Sequence, residues 1–154
     1  MRLTNNAALL ITNGWLSVAN QLDIGANCTM TAAAGLRVTN SLVNRGTLRL
    51  TGNAALYVGG TFTNTGTLDV MTWSGTLPGG LVNTGTVLDR SLIVMSSYGL
   101  SGTNFTATIQ GYTGHNYQLQ YRDELTSGAW QNVGAAVAGV EAQDAGVAQA
   151  DHHV

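Results

Sequence analysis

The chain has 154 residues, of which 9% are charged and 44% hydrophobic; 20 are glycine, one is proline, and all six basic residues are arginine. A net charge of −2 with scattered arginines gives no basic footprint for nucleic acid, and no apolar run reaches the roughly 18 residues of a membrane-spanning helix. A single cysteine excludes an internal disulfide framework or a cysteine-based zinc site, and the N-terminus lacks the basic-then-apolar layout of a signal peptide.

Taken in chain order, Met1-Arg2-Leu3-Thr4-Asn5-Asn6-Ala7-Ala8-Leu9 resembles Leu48-Arg49-Leu50-Thr51-Gly52-Asn53-Ala54-Ala55-Leu56, which implies an incomplete turn ahead of the first full one. A repeat follows. Leu16 and Val18 map onto Leu36 and Val38, then onto Leu56 and Val58. Leu22 maps onto Leu42, Phe62 and Leu81, while Cys28 and Met30 map onto Leu48 and Leu50, then onto Leu68 and Val70. Asn44-Arg45-Gly46-Thr47-Leu48 recurs as Asn64-Thr65-Gly66-Thr67-Leu68 and as Asn83-Thr84-Gly85-Thr86-Val87, at offsets of 20 and 19 residues.

Within each segment apolar residues alternate with polar ones, as in Leu36-Arg37-Val38 and Leu68-Asp69-Val70, the period-2 mark of half-buried strands. Strands this short make no stable sheet alone. Coiling the chain so that each strand stacks on its copy one turn later solves the problem. The reading is all-β: a short parallel β-helix over residues 1–95, with three strands per turn of roughly 20 residues and four to five turns. Glycine and asparagine at the corners are expected to supply unusual backbone angles and close stacking.

After Tyr98 the period is lost. Phe105–Ile109 and Tyr117–Tyr121 read as two strands joined through a turn at Gly111–Asn116 into a hairpin, and Trp130–Val133 reads as a third strand.

Candidate chemistry is sparse. The helical part holds only Asp23, Asp69 and Asp89 as acids, whereas glycosidase or lyase work needs carboxylates presented together on one face. Asp69 is expected to form an exposed ion pair with Arg49 one turn earlier, on a different face from Asp23. His152-His153 lack a third ligand, His115 reads as a turn residue, and Cys28 reads as a small buried residue in the column of Leu48 and Leu68. The expectation is no catalytic residue, no cofactor and no metal. Thr47, Thr67 and Thr86 form a column, yet their neighbours are too irregular for an ice-binding lattice. Trp15, Tyr57 and Trp73 fall at outward or corner positions, where aromatic rings can stack on sugars, and are the candidate glycan contacts. Asn44, Asn64 and Asn83 read as a structural ladder of side-chain amides.

On the N-x-G-T-L-x-V segments, residues 1–95 resemble the degenerate right-handed parallel β-helix repeats of bacterial secreted and autotransporter-passenger-type surface proteins. Phe105, Ile109, Gly111, Gly114, Tyr117, Leu119, Gln120, Leu125, Trp130, Val133 and Gly134 match the pattern of a small β-sandwich module at the ends of large secreted bacterial surface proteins. The resemblance implies that residues 96–154 form a partial antiparallel β-sandwich, with a cap, linker or carbohydrate-contact role in an extracellular or cell-surface setting, as part of a larger parent. In that module the tryptophan segment is followed by a final strand of the form F-Y-R-V. Here the chain instead runs to Asp151-His152-His153-Val154 without that strand, so residues 135–154 are expected to exchange amide hydrogens fast and a neighbouring strand to be left as an open edge prone to self-association. The function expected is a non-enzymatic structural or adhesive fragment. The alternative is a piece of a carbohydrate-active enzyme whose catalytic turns lie elsewhere, or a glycan-binding module.

Overall fold

A computed structural model describes residues 1–101, 104–122, 124, 126–139 and 146–150. The chain divides into two compact units, Met1–Arg90 and Ser91–Val154.

In the first unit the strands are β1 (Arg2–Leu3), β2 (Ala8–Ile11), β3 (Trp15–Val18), β4 (Gln21–Ile24), β5 (Thr29–Ala32), β6 (Gly35–Val38) and β7 (Ser41–Asn44). They continue as β8 (Thr47–Gly52), β9 (Leu56–Val58), β10 (Phe62–Asn64), β11 (Thr67–Trp73), β12 (Leu81–Asn83) and β13 (Thr86–Leu88). Each pairs in parallel with its copy one turn away. The first sheet is β1-β4-β7-β10-β12, the second β2-β5-β8-β11-β13 and the third β3-β6-β9. This is a parallel β-solenoid of about four turns.

The register follows the apolar beat. Leu16, Leu36 and Leu56 stand in one column and Leu22, Leu42, Phe62 and Leu81 in another, while Arg37 and Tyr57 face outward. Leu22, Leu36, Leu42 and Phe62 are fully buried, and each such side chain contributes about 1.5–3 kcal/mol through removal from water. The fourth turn has no third strand. Residues 74–80, which include Pro78, bridge β11 to β12, with Leu77 packed on the core.

Two register expectations from the sequence are overturned. Met30 pairs with Leu48 and Ala32 with Leu50, two residues away from the mapping that put Cys28 on Leu48. The corner between β4 and β5 is two residues longer than the one between β7 and β8, with Asn27 in the left-handed region at φ 61°. A slip of two keeps the same face inward, so the core survives it. Cys28 is buried, but at that corner, where its carbonyl accepts from the Thr47 amide.

Likewise Met1–Leu9 does not repeat Leu48–Leu56. Leu3 pairs with Ile24 in the first sheet, and Leu9 with Met30 in the second, with Asn5 and Asn6 turning the corner at φ near 60°. The glycines of the repeat, moreover, are there for space. Gly46, Gly66 and Gly85 do not have positive φ. A Cβ on Gly66 would lie 2.2 Å from the Gly46 carbonyl oxygen, and one on Gly85 equally close to that of Gly66.

In the second unit, β14 (Met95–Ser101) pairs antiparallel with β15 (Asn104–Ile109), and β15 pairs antiparallel with β20 (Gly146–Ala150). The expected hairpin between Phe105–Ile109 and Tyr117–Tyr121 does not form. Instead β16 (Asn116–Tyr117) pairs with β19 (Val137–Ala138), and β17 (Gln120–Tyr121) with β18 (Gln131–Asn132). Only Gly102 and Thr103 separate β14 from β15 in sequence, so that closure costs less chain entropy than one across residues 110–116. Residues 146–150, which fall in the segment expected to leave an edge open, pair along one edge of β15. Asp123, Leu125 and His152-His153 lie outside the described residues.

Candidate functional site

The asparagine column is a ladder. Asn44 Nδ2 donates to Asn64 Oδ1 at 2.6 Å, and Asn64 Nδ2 donates to Asn83 Oδ1 at 2.6 Å. The amide hydrogens also reach backbone carbonyls around the corner: Asn44 Nδ2 to Thr67 O at 2.8 Å, and Asn83 Nδ2 to Gly85 O at 3.2 Å. Asn44 and Asn64 are fully buried, so these bonds offset the cost of taking two amides out of water. The chain of donors runs one way, which leaves the Asn44 Oδ1 at its start without a partner. Ile24 holds the matching position one turn earlier and offers no donor. A second, exposed rung joins Asn40 Nδ2 to Asn20 Oδ1 at 3.1 Å. The offset of 20 was its signal in the sequence.

The acids are tied into the stack. On the first sheet Asp23 is bonded by Arg45 and lies 3.3 Å from Arg2 Nε. On the second, Asp69 Oδ2 accepts from Arg49 Nε at 2.7 Å. The expectation of an exposed pair is overturned: Asp69 is 1% exposed. A β-bulge follows directly, between Asp69 and Thr72. Its freed Met71 amide donates to Asp69 Oδ1 at 3.2 Å, and its carbonyl accepts from Arg90 Nε at 2.9 Å. Asp69 thus closes a defect in the ladder. Asp23 stands on the first sheet and Asp69 on the second, each against an arginine of its own.

The bulge also moves a tryptophan. Strict alternation from Leu68 would point Trp73 outward, but the extra residue reverses the parity. Trp73 is 8% exposed, and its Nε1 donates to Ala54 O at 2.7 Å, which removes it from the candidate glycan contacts.

Trp15 and Tyr57 remain exposed, at 59% and 49%, on the outer face of the third sheet. Trp15 stands over Gly35: a Cβ there would lie 2.3–2.6 Å from three atoms of the indole, so the ring rests on the sheet and shows its other face to solvent. Tyr57 pairs with Arg37, whose guanidinium carbon is 4.9 Å from the ring centroid. Sequence reasoning missed Arg37 as a site residue. Its offset of 20 from Tyr57, at an outward position, was the available signal. Among the described residues no group of three or more His, Cys, Asp or Glu is placed to hold a metal ion.

The second unit carries one further ring contact, Arg122 at 5.6 Å from the Trp130 centroid, and a cavity of about 220 Å³ lined by Ile93, Met95, Ala107, Ile109, Tyr117, Gln118 and Leu119. Compared with known protein families, curated proteins and solved structures, the chain matches none of them.

Proposed function

We propose that the chain is a non-enzymatic structural or adhesive piece of a secreted or cell-surface bacterial protein, with the solenoid as a stalk and the second unit as a terminal module. One observation carries this reading. The polar groups that could do chemistry on the strands are engaged in joining one turn to the next. Asp23 holds Arg45 across turns, Asp69 holds Arg49 and the bulge, and the asparagines bond along the axis. A stack braced in this way transmits load along its axis and presents outer faces of small polar and aromatic residues.

The test is direct. Purified chain incubated with polygalacturonate, alginate and xylan is expected to release neither reducing ends nor unsaturated products. Release that disappears in Asp69→Asn or Asp23→Asn would contradict the scaffold reading, and the variants are essential because a contaminating hydrolase would ignore them.

A further inference from the structure

The outer face of the third sheet has properties that the stack itself does not need. Its two outward columns are Trp15, Gly35 and Ala55, and Ser17, Arg37 and Tyr57. Apart from Trp15, Arg37 and Tyr57 these residues are small, so the face is flat. Both rings lie along it. The Trp15 indole covers Gly35, and the Tyr57 hydroxyl reaches to within 3.4 Å of where a Cβ on Gly59 would sit. From two strand spacings and two residues along a strand, the two aromatic positions are about 12 Å apart, the reach of a short oligosaccharide.

Arg37 stands on β6, the strand between those that carry Trp15 and Tyr57. Arg2, Arg45 and Arg49 each have a carboxylate, but Arg37 is exposed and its described contact is the Tyr57 ring alone. The ring holds the guanidinium at this face, and its N–H groups are placed to pair bidentately with a carboxylate.

We propose that this face binds a linear acidic polysaccharide, with Trp15 and Tyr57 stacking on sugar rings and Arg37 pairing with a uronate carboxylate. The proposal rests on the reading of the chain as an adhesive scaffold, and it names the partner. Charge complementarity here is local, since the chain as a whole carries −2 and would be repelled by a polyanion. Binding driven by this face is therefore distinguishable from a general Coulombic attraction.

The experiment is affinity electrophoresis of the full chain in native gels containing polygalacturonate, alginate or dextran. Retardation is expected in the two uronate polymers and not in dextran. Arg37→Gln and Trp15→Ala are each expected to weaken binding about tenfold. Arg122→Gln, whose side chain stacks on Trp130 in the other unit, should leave it unchanged. Arg37 is exposed, so Arg37→Gln should melt at the wild-type temperature, and that variant decides the matter if Trp15→Ala proves unstable. Equal retardation in dextran, or retardation unmoved by Arg37→Gln, would overturn the proposal. So would a dimer that Arg37→Gln dissolves, which would assign the face to a second copy of the chain. Absence of any retardation also refutes it while leaving the scaffold reading intact; cleavage of the polymer would contradict the scaffold reading instead.

Discussion

Replacing Gly66 with alanine adds one methyl group where the solenoid has no room for it. Gly66 stacks on Gly46, and the new Cβ would lie 2.2 Å from the Gly46 carbonyl oxygen and 2.6 Å from the Arg45 carbonyl carbon. Both are backbone atoms and cannot rotate away. Ordinary contact requires the turns to part by about 1 Å, and that same carbonyl accepts the Thr67 amide at 2.8 Å. Overpacking costs about 1–3 kcal/mol and a stretched ladder bond about 1 kcal/mol. Reduced freedom of the unfolded chain returns about 0.4–1 kcal/mol. The expected net loss is about 1–3.5 kcal/mol, which at a urea dependence of about 2 kcal/mol/M lowers the midpoint by roughly 0.5–2 M. Gly80→Ala is the control, because a Cβ there meets no atom within 4 Å. Unfolding followed by far-UV circular dichroism should separate the two. A loss below about 0.5 kcal/mol for Gly66→Ala, or an equal loss for Gly80→Ala, would refute the argument from close stacking.

Phe62→Ala should cost about 3–5 kcal/mol in urea unfolding, because the ring is fully buried between Leu42 and Leu81; a loss under about 1 kcal/mol would mean that the ring is exposed. Ile24→Asn extends the ladder to the unpartnered Asn44 Oδ1, so thermal melts should show a net cost below about 1 kcal/mol. Leu22→Asn, two residues away and facing only apolar neighbours, should lose about 4 kcal/mol, and equal losses would remove the ladder from the account. Asp69→Ala strips partners from Arg49 and from the Met71 amide and should cost about 2–4 kcal/mol. Arg2→Ala removes an exposed guanidinium from Asp23, which keeps Arg45, and should stay within about 1 kcal/mol; the reverse order would show the bulge bonds to be dispensable.

Much of the solenoid was legible because a stacked turn writes its register as a fixed offset. Leu16 on Leu36 on Leu56, Leu22 on Leu42 on Phe62, and the asparagine column all follow from counting 19 or 20 residues. Offsets fail where a corner changes length. The left-handed Asn27 accommodates two extra residues before β5, and the apolar pattern conceals this because Cys28, Met30 and Ala32 all suit an inward position. Alternation fails at a bulge. One inserted residue in β11 turned Trp73 inward and set the Met71 amide against the buried Asp69, and no local property of Asp69-Val70-Met71 marks it. In the second unit, alternation identified strand-like segments without specifying partners, since pairing depends on which closure is shorter rather than on the strand itself. The platform of Trp15, Arg37 and Tyr57 was half visible: its rings were candidates from the start, while Arg37 emerges only when the outward columns are read as stacks.

The account stands most directly on the stacking register, and nuclear Overhauser contacts in a methyl-labelled sample measure it. The Phe62 ring should show contacts to the methyl groups of both Leu42 and Leu81, its neighbours along the axis at spacings of about 4.8 Å. Contacts from Phe62 to neither leucine, or to the outward-facing Val43 and Val82 in their place, would contradict the solenoid register and with it the scaffold built on it.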